Sequence, residues 1–188
     1  MILFSLFLLG SIFGSFYNVC IYRLPKDLDL VNKKSACTSC QYLIPFYLNI
    51  PIVSYIYNLG KCKNCNSKIS KSYLIVEILT AFIFVTAYQK HGLDLNLVSY
   101  IVFYSSLLII FYTDLKEYLI LDKITLPISF FGLVLAILDK SPFQTNLIEA
   151  LIGGVIGYLT IYLIRFIFFK IRKVEGMGLG DAKLFLLI

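Results

Sequence analysis

Two sets of side chains in this sequence have the types and spacing to do chemistry. The first is a cysteine quartet. In SACTSCQYLIPFYLNIPIVSYIYNLGKCKNCNSKIS, Cys37 and Cys40 form one C-x-x-C and Cys62 and Cys65 a second, with 21 residues between the pairs. Two such knuckles supply the four thiolates that tetrahedral zinc takes, at a separation close to that of zinc ribbons. Lys61, Lys63 and Lys68 stand beside them and can offset the charge of a tetrathiolate centre. Two disulfides or redox pairs are the competing reading. A reducing cytoplasm opposes stable disulfides, and no βαβ pattern of a thioredoxin-like motif surrounds the pairs. With all four positions filled by protein, such an ion folds the loop and leaves no open position for a reaction.

The second set is acidic residues in apolar surroundings. Asp114 closes an apolar run in LLIIFYTDLKEYLILDKITLP, with Asp122 eight residues further on, and Asp181 enters another in GMGLGDAKLFLLI. Desolvating a carboxylate in a membrane is costly, so such residues mark function by default. If helix packing brings Asp114 and Asp181 together, the two cannot both ionise easily. They share a proton, one serving as base and the other as acid, and that pair activates water against a peptide carbonyl. Gly176, Gly178 and Gly180 let the backbone approach a partner closely. The plainer readings are a solvated interfacial aspartate, a helix cap, an ordinary loop charge, or a carboxylate of an ion pathway. Cys20, alone in the first apolar run, reads as a small hydrophobe. His91, the single histidine, has no triad or ligand set around it and reads as solvated.

A membrane has to position these residues. Of the 188 residues, 59% are hydrophobic and 15% charged, where a soluble domain carries about a quarter charged. Runs near 2–22, 73–89, 96–113, 118–138, 147–169 and 178–188 read as membrane helices, the last about half the length needed to cross. The expected fold is therefore an all-α integral membrane protein, a polytopic bundle of about six transmembrane helices with a small zinc-binding loop. The first run lacks a basic n-region and a small-residue cleavage site, which makes it a retained helix rather than a removed signal peptide. The expected organisation is a first transmembrane helix at 1–22, a cytoplasmic loop at 23–72 and a membrane core at 73–188.

Charge orients this bundle. Alternate loops hold fourteen basic residues on one side, including Lys33 and Lys34, against only Lys90 and Lys140 on the other. The positive-inside rule then places the loop in the cytoplasm. The net charge of +6 is accounted for by topology and anionic headgroups, which argues against a nucleic-acid partner. Gly153, Gly154 and Gly157 give a G-x-x-x-G match and an expectation of close helix packing. No internal repeat is visible.

At this point the chain resembles the prepilin peptidases, or type IV leader peptidases, of the GxGD aspartyl protease class. GSFYNVCIYRLP (14–25), the C-x-x-C pair, NIPIVSY (49–55), GKCKNC (60–65), SKSYLIVEILTA (70–81), TDLKEYLILDKITLP (113–127) and GMGLGDAKL (176–184) look like successive family signatures in the right order. The resemblance implies an inner-membrane endopeptidase that cuts the leader of type IV prepilins or pseudopilins after glycine on the cytoplasmic side. In many members N-methylation with S-adenosylmethionine follows. Asp114 and Asp181 match the catalytic pair, with Asp122 in reserve and Gly178 and Gly180 in support. Glu77 matches an acidic family position, where it either contacts the substrate amine or pairs with a lysine. A non-enzymatic adaptor whose zinc loop binds a cytoplasmic partner is the alternative, and an ion or proton carrier ranks behind it. Family members continue beyond the GxGD motif, whereas seven residues follow Asp181 here, so the core at 73–188 is expected to be truncated.

Overall fold

The computed structural model describes residues 1–30, 35–45, 50–138, 145–173 and 178–184. Lys33, Lys34, Asn49, Lys140 and Gly176, singled out above, lie outside them. The described residues form helices and turns with no strand, and the chain divides into two compact units, Met1–Gly92 and Leu93–Ile188.

In the first unit, α1 (Ile2–Arg23) packs along α3 (Lys71–His91). Glycine makes that approach possible: a Cβ on Gly10 would lie 2.7 Å from the Ala81 Cα, and one on Gly14 2.6 Å from the Glu77 Cα. Here, not at Gly153, a G-x-x-x-G spacing is used, because small residues let two helix backbones close on each other. The Cβ of a substituted Gly153 would meet open space. Phe13 and Phe84 cover the crossing with ring centroids 5.3 Å apart. The seam is partly polar. Asn18 donates to the Tyr73 carbonyl at 2.9 Å, and the Thr80 hydroxyl donates to the Val76 carbonyl one turn back at 2.8 Å. Such internal pairing is what a low-dielectric interior demands of polar groups. Helix α3 begins at a Ser70 cap and ends at Gly92, whose φ of 65° lets its N–H turn back to Tyr88. Between α1 and α3 lie the two cysteine knuckles and a short helix, α2 (Val53–Tyr57).

The second unit contains α4 (Leu95–Glu117), α5 (Asp122–Ile137), α6 (Leu147–Arg172) and α7 (Leu179–Leu184). Helix α6 starts in a capping box, Asn146 accepting from the Glu149 N–H while Glu149 accepts from that of Asn146, and none of its residues is buried. Helix α4 ends where Tyr118 turns left-handed at φ 54°.

Four helices, in Ile2–Lys26, Lys71–His91, Leu95–Glu117 and Leu147–Arg172, are long and apolar enough to cross a membrane. The expected spans at 118–138 and 178–188 do not join them. Residues 118–121 turn instead of continuing a helix, leaving α5 only 16 residues, or about 24 Å at 1.5 Å per residue, which is short of the roughly 30 Å hydrocarbon core. The described part of the last run is the six residues of α7. The organisation is thus a multi-pass helical membrane protein with four such spans among its described residues.

Candidate functional site

The two cysteine knuckles are one device used twice. In the first, the Cys37 N–H donates to the Tyr42 carbonyl and the Gln41 N–H to the Cys37 carbonyl. In the second, Cys62 and Asn66 make the same bonds to Ser67 and Cys62. Ala36 bridges Leu43 as Lys61 bridges Lys68, and Gln41 and Asn66 take the matching left-handed position at φ 57° and 56°. The repeat, at an offset of 25 residues, escapes a sequence comparison because SACTSCQYLI and GKCKNCNSKI share only their cysteines and the final isoleucine.

The turns point their sulfurs at a common centre. All four Sγ atoms lie within 4.8 Å of one another, with Cys37–Cys65 and Cys40–Cys62 both at 3.9 Å. Tetrahedral metal–thiolate bonds of about 2.3 Å imply sulfur separations of about 3.8 Å, so the quartet fits a four-coordinate ion. The close contacts run between knuckles, not within each C-x-x-C. Backbone N–H groups of Cys40 and Ser39 hold the Cys37 thiol down at about 6, because hydrogen bonds to a thiolate favour the charged form. The Ser67 hydroxyl, 3.1 Å from the Cys65 sulfur, and then the Ser67 N–H lower Cys65 in the same sense. Thiolates are the metal-binding form, and Ser67 was a partner without a sequence signal of its own.

The aspartates are positioned by helices in the second unit. Asp114 is exposed in the last turn of α4, and its carbonyl accepts the N–H of the capping Tyr118 at 2.9 Å. Asp181 is half-buried on α7 beside the buried Ala182. Asp122 opens α5, where its charge suits the helix N-terminus, and it pairs with Lys183 of α7 at 2.6 Å. Gly180 meets the same corner: a Cβ there would come 2.9 Å from the Ile120 Cβ, whereas one on Gly178 meets nothing nearer than 3.8 Å. The contacts joining the two motifs therefore run through Ile120, Asp122, Gly180 and Lys183. Neither the Asp114 nor the Asp181 carboxylate is engaged in a hydrogen bond or ion pair with another described residue. Lys183 and Ile120 were not legible as site residues, since nothing local marks a long-range pair.

Glu77 is 8% exposed in α3, and its carboxylate accepts the Ile52 backbone N–H at 2.7 Å. This partner is a backbone N–H of the loop and not a lysine.

Four helices of membrane-spanning length and a four-cysteine cluster define a polytopic helical membrane protein with a candidate metal centre. Residues 8–91 match the family described as "Bacterial Peptidase A24 N-terminal domain" and residues 101–188 the "Type IV leader peptidase family", a division that follows the two structural units. The chain is similar to proteins named "Prepilin leader peptidase/N-methyltransferase" from several bacteria. It is 35% identical to that of Vibrio cholerae over 98% of this chain and 74% of the relative, and 33% identical to that of Dichelobacter nodosus over 91% and 68%. The Myxococcus xanthus protein is 32% identical over 95% of this chain, which spans 52% of that relative's length. No solved structure matches the chain. The chain belongs to the prepilin leader peptidase family.

Proposed function

We propose that this protein is a membrane-embedded aspartyl endopeptidase that cleaves the leader of type IV prepilin-like proteins after glycine, on the cytoplasmic side of the inner membrane, and then N-methylates the new terminus. Asp114 and Asp181 carry the cleavage. The ionised member removes a proton from water as it attacks the scissile carbonyl, and the protonated member donates to the developing oxyanion. The observation that carries this assignment is the contrast among the three aspartates. Asp122 is held by Lys183, while among the described residues neither the Asp114 nor the Asp181 carboxylate has such a partner. A carboxylate already engaged by a lysine ammonium is not turned toward a second carboxylate.

Cys37, Cys40, Cys62 and Cys65 hold zinc, which with four protein thiolates contributes folding free energy to the loop. The methyl transfer named for the relatives implies a donor, S-adenosylmethionine, for which the described residues show no glycine-rich cradle. The test is cleavage of a leader-bearing prepilin in membranes by the chain and its Asp114→Asn, Asp181→Asn and Asp122→Asn forms. Loss in the first two with retention in the third is the expected result. Cleavage surviving in Asp114→Asn but not in Asp122→Asn would exchange their roles. Cleavage unaffected in all three would leave the metal-loop adaptor as the better reading.

A further inference from the structure

Residues 50–59, IPIVSYIYNL, lie between the knuckles in a loop expected to be aqueous, yet their exposure pattern is inverted. Val53, Ile56, Tyr57 and Leu59 are 59%, 61%, 79% and 82% exposed, and Ile50 is 45% exposed. Ser54, Tyr55 and Asn58 are half-buried instead. A segment facing water turns its apolar side inward, whereas one facing hydrocarbon does the reverse and satisfies its polar groups internally.

Those polar groups are satisfied. Asn58 donates through both its side chain and its N–H to the Ser54 carbonyl, at 2.8 and 3.1 Å. The Tyr55 hydroxyl donates to the Ile69 carbonyl at 3.2 Å, and Ile69 donates its own N–H to Gly60 at 2.7 Å, which fixes α2 to the second knuckle. Gly60, at φ 66°, leaves room for the Tyr55 ring, whose Oη would stand 2.8 Å from an added Cβ.

The depth of the segment follows from its other anchor. Glu77 is the seventh residue of α3, about 9 Å along the axis from the first, and its side chain leans back toward the helix N-terminus. Its carboxylate accepts the Ile52 N–H at 2.7 Å. Ile52 is held at φ 63°, a conformation that a β-branched residue adopts only under constraint. The start of α2 is therefore pinned within the first two turns of a membrane span. Lys61, Lys63, Lys68 and Lys71 are exposed around it, the charge that anionic headgroups attract.

We infer that residues 50–59 are an interfacial segment whose Val53, Ile56, Tyr57 and Leu59 face lies in the lipid headgroup–acyl boundary, and that Glu77 moors it there. The cysteine knuckles are then held against the membrane surface, not suspended in solution. This stands independently of the peptidase reading. Apolar faces of interfacial helices sink about 5–10 Å into that boundary, a depth consistent with the Glu77 anchor.

The chain has no tryptophan, so one placed at Ile56 reports alone. The experiment is emission of the full chain carrying Ile56→Trp, in phosphatidylethanolamine–phosphatidylglycerol vesicles with bromine on acyl carbons close to the headgroup. Lys63→Trp, on the exposed second knuckle, is the control, and metal content checks that both variants fold. The Ile56→Trp form should emit to the blue, lose intensity to brominated lipid and resist aqueous acrylamide, with the opposite pattern for Lys63→Trp. Adding Glu77→Ala to Ile56→Trp should shift the balance toward acrylamide; unchanged quenching in a folded double variant would overturn the mooring role. Quenching of Ile56→Trp by acrylamide and not by lipid would overturn the interfacial placement. A blue shift appearing only when a prepilin is added would likewise overturn it and assign the face to a protein partner.

Discussion

The cysteine knuckles and the aspartate corner are both candidate sites, but they are built in opposite ways. Each knuckle is a ten-residue turn that closes on its own backbone bonds and presents two sulfurs before its twin is considered. The aspartate corner has no such local closure. Asp114 and Asp122 flank the break between α4 and α5, and Asp181 reaches that region because Gly180 admits Ile120 and Lys183 meets Asp122. A site made of local turns tolerates loose surroundings, whereas a site made across helices inherits every error in their packing.

The largest test of this contrast is at the carboxylates themselves. Asp114→Asn or Asp181→Asn should reduce leader cleavage by about 10²–10⁴-fold, the usual contribution of positioned acid–base groups, measured on prepilin in membranes, with metal content unchanged. Cys62→Ser removes the buried sulfur of the quartet. It should strip the metal, seen by elemental mass spectrometry, and open the lysine-rich loop to trypsin, while cleavage falls less than in the aspartate variants. A Cys62→Ser protein that keeps both its metal and its trypsin resistance would break the comparison.

A steric pair sharpens it further. Gly180→Ala forces a Cβ into Ile120 and should cost about 1–3 kcal/mol, as overpacking does, lowering cleavage. Gly178→Ala has room and should be close to silent. Denaturant or thermal unfolding in detergent, run beside the cleavage assay, separates the two. The smallest effect is expected at the rim. Lys183→Met removes an ion pair whose partners are 33% and 50% exposed, worth about 0.2–1 kcal/mol at such exposure, and the same unfolding measurement should detect only a slight loss.

The same division separates what could be read early from what could not. Membrane helices were legible because an apolar run of bilayer length has few other uses, and the cysteines because C-x-x-C spacing is a short-range constraint. The helix-packing glycines were not. Gly153 opens the same spacing as Gly10, yet a Cβ on Gly153 would meet open space while one on Gly10 or Gly14 would meet the α3 backbone, a fact that depends on which helix lies opposite. Residues 118–138 read as one apolar span, because hydropathy does not register that Tyr118 turns left-handed and ends the helix. Glu77 was legible as a costly carboxylate, but its donor, the Ile52 N–H, lies 25 residues away.

By itself, then, the sequence determined that this is a helical membrane protein, that four cysteines form paired knuckles, and that its few membrane-edge carboxylates demand an explanation. Composition and short spacing act through solvation and local turns, which need no knowledge of distant partners. Tertiary structure alone decided that Asp122 belongs to Lys183, that Gly180 and not Gly178 is sterically required, and that Glu77 holds the loop. Those are choices among partners far apart in the chain, and only the packing of helices against one another makes them.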